Sequence, residues 1–548
     1  MMMHENDQAS KAVNFAKTGN RYDKVLLLFC LVVLGFTILY PSMRLLVRAF
    51  MHWNWDFLCS HAAKNAIQNT FIISLASVFT SGSLGILLAY IITFYRFPGS
   101  RILGALAYLP FTLPPLVGVL SFYYIIGRDG FIPRLLSGLF GIEIIQIPGF
   151  WAILLIHTYS FYVFFYAMVG PALANLDRTQ IEAARTLGAG SVRTFYKVTL
   201  PLLRPALLGA SLLTFMSSGA SFSAPYFFGH NYPMLSVLIY NETSQFHMDN
   251  AVTLTLALAV LSLFGVIVFR STRTYQSSAG KGIAGTLHSR SSRVLASICA
   301  WLGIALLLAP HTNIFWLSFV DYRAWHTEIF PTRLSLENYR MLLASPNAIL
   351  PIWNSIWMSC LAAIMVLLVA LPAAYLISRK RPGGSWVNFL VMIPWALPGT
   401  VIAINLIIAF NNRWLPLYNT VWLLPLAYFI RNIPLLTRMS GAAMEAFDAG
   451  LIEAGRTLGA SPRYCFLRIV APIIAPAVLA GLAMVFATSL GEFVASILLY
   501  VPANLPIAVH INMAWRTAIG EAFAYSVLLM LLVGIVFTVS RCFTARLL

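Results

Sequence analysis

Charge is what this sequence has least of. Only 10% of its 548 residues are Asp, Glu, Lys or Arg, against about a quarter in soluble domains. Hydrophobic residues make up 59% of the chain, and the mean hydropathy is +0.79. A soluble globular domain is thereby excluded in favour of a polytopic membrane protein. Acidic residues are the scarcer kind, 18 against 36 Lys and Arg, leaving a formal charge of +18. In a soluble chain that excess would suggest nucleic acid. Here the basic residues fall in short segments between apolar runs, where they report orientation in a bilayer, so lipid rather than nucleic acid is the expected partner. Cysteine is also sparse: Cys30, Cys59, Cys299, Cys360, Cys465 and Cys542 show no paired or CxxC spacing, which argues against a disulfide framework or a zinc site.

The signatures of chemistry are missing too. Gly280-Lys281-Gly282 lacks the upstream glycine and the following Ser or Thr of a phosphate-binding loop. No Ser/His/Asp or metalloprotease spacing is present, so no catalytic residue is assigned and the chain is not expected to be an enzyme. Seven of the ten histidines (His52, His61, His230, His247, His311, His326 and His510) fall at or near one side of the expected membrane. No pair of them has ligand spacing, and metal ligation is left unknown.

What the chain does have is long apolar runs. A hydrocarbon core of ~30 Å needs roughly 20 apolar residues per helix. Such runs predict helices near 25–47, 67–95, 102–127, 150–175, 203–228 and 249–269, then near 294–320, 350–378, 386–410, 419–437, 474–500 and 520–540. The expected fold is all-α, with about 12 transmembrane helices in two sets of six. Strands of a membrane barrel would alternate polar and apolar residues instead. Residues 1–24 form a polar tail, and the run from Val25 is too long for a signal-peptide core, so it reads as a retained first span. Placing both termini inside puts 26 of the 36 Lys and Arg on that side. The positive-inside rule therefore predicts cytoplasmic termini.

The two sets of six repeat one another. Ala89-Tyr90 and Pro98-Gly99 recur as Ala374-Tyr375 and Pro382-Gly383, and LPFTLPPLVGVL (109–120) resembles IPWALPGTVIAI (393–404). These matches share nearly one offset along the chain. EAARTLGAGSVRTFYKVTLP (182–201) recurs at a shorter offset, as EAGRTLGASPRYCFLRIVAP (453–472). About 13 extra residues therefore sit in the first half, near 128–149. Six helices between copies give a parallel repeat with both halves oriented alike. The expected organisation is a tail (1–24), a first half (25–269, polar loop 178–201), a flexible Ser/Gly/Arg-rich linker (270–293) and a second half (294–548, polar loop 449–472).

The two polar loops share Glu, Ala, Arg, Thr, Leu, Gly and Ala in order, then Phe195/Phe466 and Pro201/Pro472, and Asp177 and Asp448 also correspond. Arg178 to Leu187 favours helix and Gly188 a stop. A short second helix carrying Arg193 and Lys197 should follow, with Pro201 opening the next span. Small Ala183 and Ala184 would let a partner approach the backbone, and Glu182 and Arg185 lie on one helical face. A surface used twice, on the same side of the membrane, implies two equivalent partners.

This pattern resembles the EAA loop of ATP-binding-cassette importer permeases. Glu182-Ala183-Ala184, Gly188 and Leu200-Pro201 match it, and the second copy departs at Gly455 and Ala471. The resemblance implies that Glu182, Ala183, Ala184, Arg185 and Gly188, with Glu453, Ala454, Gly455, Arg456 and Gly459, seat two copies of a separate ATPase. ATP and Mg would then be used by that partner, and this chain would bind no cofactor. A periplasmic binding protein would deliver cargo to a multi-pass protein of the bacterial inner membrane. The fused two-half layout resembles the ferric-iron permeases in particular. Thiamine permeases share it, and polyamine and phosphonate permeases belong to the same wider group.

A pathway should lie near the bilayer midplane between the repeats. Glu492, two thirds along the run 474–500, is the costliest residue there; it reads either as a pathway group or as the holder of a hydrogen bond between helices or a residue near the outer interface. Its first-half counterpart is Ser221, and Asn405 adds a further polar candidate or a contact between helices. Prolines 110, 114, 115, 394 and 398 should kink or interrupt the third span of each half. Other classes stay open: an ion-coupled secondary transporter, expected to carry more intramembrane acids, or a non-transporting membrane scaffold.

Overall fold

The structure, a computed structural model, describes residues 21–95, 97–128, 130–141, 147–176, 178–269, 290–321, 332–344, 347–448 and 450–547. The tail 1–20, linker residues 270–289, Arg96, Asp177 and His326 lie outside the described residues, as do 142–146 of the first-half insertion.

The helices used below are α1 (Tyr22–Met51), α2 (His61–Phe94), α3 (Ser100–Thr112), α4 (Pro115–Ile126), α5 (Gly149–Ala174), α6 (Arg178–Thr186), α7 (Phe195–Gly219), α8 (Leu235–Ser244) and α9 (Met248–Phe269). The second repeat supplies α10 (Val294–Ser318), α11 (Leu350–Ser378), α12 (Gly384–Ala396), α13 (Gly399–Phe410), α14 (Leu423–Ala446), α15 (Gly450–Thr457), α16 (Phe466–Leu490), α17 (Ile507–Thr517) and α18 (Ile519–Leu547). Among the described residues the extended pairing is one bridge, Val320 with Leu334. Among the same residues nine helices are long and apolar enough to span, or eleven if each of two bent pairs counts as one. The expected tenth span is present as α14, a 24-residue helix whose Arg431, Asn432 and Arg438 lower its hydropathy.

Both bent pairs arise from proline. Leu113 and Leu397 precede prolines, which disfavour the helical region, and both are extended. The chain turns by 102° between α3 and the segment from Pro115, and by 111° between α12 and α13. The third span of each repeat is therefore interrupted, the stronger of the two effects its prolines predict.

The compact units do not coincide with the sequence repeats. One unit comprises residues 1–51, 346–510 and 531–548, and the other 52–345 and 511–530. Helix α1 thus belongs with the body of the second repeat, and α10 with the body of the first. In the first of these units Asp23 Oδ2 lies 3.4 Å from Arg381 Nε, a contact of charges rather than a short hydrogen bond. Arg381 also donates to the Tyr375 hydroxyl, which donates to Asp23 Oδ1. Further along α1, Tyr40 donates to the Ala409 carbonyl and Ser42 Oγ accepts from Asn405. In the other unit Ser121 donates to the Pro310 carbonyl of α10, Asn313 donates to Ser121, and Tyr159 donates to the Leu307 carbonyl.

The repeated Pro-Gly pair makes both attachments possible. Gly99 and Gly383 have φ of +83° and +82°, where a Cβ is strained. Each also lies under a side chain of the exchanged helix: Trp301 of α10 crosses Gly99, and Leu27 of α1 crosses Gly383. Gly383→Ala combines a left-handed backbone, costing about 1–2 kcal/mol, with an overlap on Leu27. A lower melting temperature in detergent is expected for Gly383→Ala. A Gly303→Ala control, where no atom lies within 4 Å of the new Cβ, should melt within a degree or two of the wild type.

Candidate functional site

The two polar loops fold alike. In the first, α6 ends at a left-handed Gly188 (φ +81°), with Leu187 N–H donating to the Ala183 carbonyl and Ala189 N–H to the Ala184 carbonyl. In the second, α15 ends at Gly459 (φ +85°), with Leu458 donating to Ala454 and Ala460 to Gly455. The bonds from Ala189 and Ala460, which reach back five residues over a left-handed glycine, are the outer bonds of the Schellman closure; in the second loop Gly459 N–H adds the inner one, to the Arg456 carbonyl, and orphan carbonyls of the helix end are satisfied. Thr186 and Thr457 hydroxyls add the same bond, to Ala183 and Ala454.

Each closure pushes a leucine outward. Leu187 is 88% exposed and Leu458 89%. One exposed leucine needs no explanation, but equal exposure at the same position of both copies does. Glu182, Ala183, Glu453, Ala454, Arg456 and both glycines are exposed beside them, while the Arg185 side chain lies outside what the structure describes. The third EAA position has a separate job in the second copy. A Cβ on Gly455 would press on Ile469 and Cys465 of its own loop, so smallness there serves internal packing.

The second helix of each loop differs from expectation. Ser191–Thr194 carries Arg193 and runs on through a π turn, Phe195–Thr199, directly into the membrane helix. The second copy does the same through Pro462–Cys465 and Phe466–Val470. Pro201 and Pro472 therefore stand inside a continuous helix rather than opening a new one. A proline cannot donate to the carbonyl four residues back and collides with it. The wider π turn bypasses that position, because Leu200 N–H bonds to Phe195 O and Ala471 N–H to Phe466 O, five residues back. Phe195/Phe466 and Pro201/Pro472 are two of the identities shared by the loops, and they bracket this turn.

Glu492 is not within a span. Helix α16 stops at Leu490, and Glu492 occupies the turn before a short helix, Ser496–Leu499. Its carboxylate is fully engaged. Oε1 accepts from Ala495 N–H at 3.1 Å and from Arg431 at 3.2 Å, and Oε2 accepts from Ser496 N–H and hydroxyl, both at 3.0 Å. The Glu492 side chain is 2% exposed, whereas Arg431 is 41% exposed. What this pair presents outward is a guanidinium, held on a fixed carboxylate. Gly399, first residue after the α12–α13 break, leaves room for it, since a Cβ there would run into Arg431 Nη1. Arg431 carries the same intramembrane-charge signal as Glu492, but the positive-inside count places it among the inner charges.

The remaining candidates have local partners. Asn405 is buried and donates to Ser42 at 3.4 Å. Ser221 lies just past α7, its N–H on the Ser218 carbonyl and its own carbonyl accepting from Ser236. His157, which no motif singles out, is buried with Nδ1 2.9 Å from Ser218 Oγ and 3.1 Å from Ser77 Oγ. Its counterpart, at the same offset as the polar loops, is Tyr428, bonded to Ser496. Ser489, the counterpart of Ser218, accepts from Asn432. Both repeats thus place a hydroxyl–polar contact at one helix crossing, with different residues. Among the described residues no group of three or more His, Cys, Asp or Glu gathers to hold a metal.

Comparison with known proteins gives the same picture of a doubled chain. "Probable ABC transporter permease protein y4fN" of Sinorhizobium fredii is 28% identical over 82% of this chain and 82% of its own length. "Ferric transport system permease protein FbpB" of Actinobacillus pleuropneumoniae is 27% identical over 94% of this chain and 78% of its own. "Sulfate transport system permease protein CysT" of Salmonella typhimurium, at 30% identity, matches 47% of this chain with 92% of its own length, as a relative of one half would. Residues 81–278 and 366–547 each match the family described as the binding-protein-dependent transport system inner membrane component, and the chain belongs to that family, as a multi-pass permease with both halves fused.

Proposed function

We propose that the chain forms the translocation pathway of an ATP-driven importer, that its two EAA loops each seat one ATPase subunit on the cytoplasmic side, and that its cargo is ferric iron. The carrying observation is the pair of Schellman-closed loops, one per repeat, each raising a leucine beside exposed Glu, Ala and Gly. An exposed leucine on a rigid, glycine-capped turn is a knob for an apolar recess, and the surrounding small residues allow close approach. The π turns make the second helix of each loop continuous with a membrane helix, and each knob precedes that helix by one short glycine-led turn. ATP and Mg belong to the partner subunits. The inner excess of Lys and Arg supports cytoplasmic termini.

Ferric iron is supported by the relative of Actinobacillus pleuropneumoniae, whose name states ferric transport and which aligns with nearly the whole chain. A second reading, an oxyanion cargo, is favoured by the half-exposed Arg431 and by the sulfate permease relative. In either case Glu492 acts through Arg431: with all its oxygens engaged, it positions the guanidinium rather than meeting cargo itself.

Two experiments test this reading. Leu187→Asp with Leu458→Asp should leave membrane insertion intact, abolish ATP-dependent uptake in proteoliposomes, and release the ATPase on purification. Replacing Gly188 and Gly459 should do likewise, whereas uptake that persists in cells without the cognate ATPase would sink the importer reading. For the ion pair, Arg431→Ala strands a buried carboxylate, and a double-mutant cycle with Glu492→Ala should show coupling of about 1–3 kcal/mol in detergent unfolding. Additive effects would show that Glu492 does not hold Arg431.

A further inference from the structure

A cavity of about 440 Å³ opens near the end of α7 remote from its EAA loop. It is lined by the segment following α7, by the first part of α8, by Tyr123 of α4, and by Trp515 and Arg516 at the end of α17. Its size falls in the range of small-molecule sites. Its charges have one sign: the lining contains Arg516 and the titratable His230 but no Asp or Glu. The Arg516 guanidinium is exposed and donates to the Tyr226 hydroxyl at 2.7 Å, which occupies one of its five N–H groups. Asn241 adds an amide to the same wall.

The walls are fixed before any ligand arrives. Trp515 is clamped edge-on by Tyr123, Tyr124 and Phe227, with ring centroids 5.0, 5.2 and 5.8 Å away. Tyr226 is stacked on Phe222 at 5.2 Å and flanked by Tyr240. A guanidinium tied to a clamped tyrosine presents its donors in a set direction, which lowers the ordering cost of binding. Planar, multi-donor recognition of this kind suits carboxylate or phosphate oxygens. An aromatic box for a cation would need the opposite: ring faces without a competing positive charge.

We propose that this cavity is a binding site for a small oxyanion, with carboxylate or phosphate oxygens on Arg516 and its remaining surface against the aromatic wall. Given the importer reading, on which this last step rests, cargo passes this point as an anionic species, a ferric carboxylate or phosphate complex rather than a bare cation. Thiamine and polyamines are disfavoured by the same charge.

The test is calorimetric titration of the purified full-length chain with citrate, inorganic phosphate, thiamine and spermidine, in detergent and in phosphatidylcholine nanodiscs. Saturable citrate or phosphate binding is expected, with neither cation bound. Arg516→Ala should weaken binding at least about tenfold, Arg516→Lys less, and Tyr226→Phe should weaken it while leaving the exposed Arg516 in place. Elution as a single monodisperse species shows that each variant folds. Equal anion binding by Arg516→Ala, or tighter binding of either cation, overturns the proposal. A third outcome, citrate displaced from the detergent-purified chain by phosphatidylglycerol, would make a lipid headgroup the occupant and overturn it too. The permease reading fails separately: wild-type chain that binds citrate but shows no ATP-driven uptake keeps the site and loses the transporter.

Discussion

No backbone N–H or C=O can be left unpaired in hydrocarbon, and the rest of this structure follows from how the chain meets that demand where its sequence resists it. Along most of its length helix suffices. The difficulty comes from proline, which removes a donor and obstructs a carbonyl. Two solutions recur. At Pro114 and Pro398 the helix is given up and the span breaks, by 102° and 111°. At Pro201 and Pro472 the helix is kept and widened by one residue, so that the obstructed carbonyl is skipped. The first places a turn inside the membrane helices, and the second makes the last helix of each polar loop continuous with its span.

The duplicated scaffold carries unequal side chains. His157 and Tyr428 occupy matched positions, as do Ser218 and Ser489, and all four are buried in polar contacts between helices. At Ser221 and Glu492 the match ends in charge: at this position the second repeat has a buried carboxylate where the first has a serine, and Arg431 lies against it. The outward result is a cation. Arg516, in the other compact unit, is a second. Two guanidiniums held in place by hydrogen bonds give a duplicated frame an electrostatic preference that its symmetry does not.

Much of this is legible in the sequence. Helix positions follow from apolar run length, because in lipid nothing else satisfies the backbone. The glycine stops at 188 and 459 follow from their place after a helical segment and from their recurrence. Three things are hidden, each for a physical reason. The end of α16 is invisible because Gly491 stops a helix without any change in hydropathy, so run length alone places Glu492 in a span. The π turns leave no compositional trace, although Phe195 and Pro201 mark their edges once their partners at 466 and 472 are known. Arg431 looks like one more inner charge, since its helix is only moderately apolar. The cavity at Arg516 draws on α4, the segment after α7, and α17. These lie in opposite halves of the sequence, and no local pattern joins them.

The attachment of α1 has a consequence for how the chain is made. Its partners on α11 to α13 begin near residue 350. At synthesis rates of about 5–20 residues per second, α1 resides in the bilayer for roughly 15–60 s before they emerge. An apolar helix is stable alone in lipid, so waiting costs it little. During that interval Asp23, Tyr40 and Ser42 must satisfy themselves with headgroups, water or their own helix, as Ser42 does through the Ile38 carbonyl. Assembly is therefore ordered in time: the first body waits for α10 and then for residues 511–530, and the second closes on a helix that was inserted long before its partners.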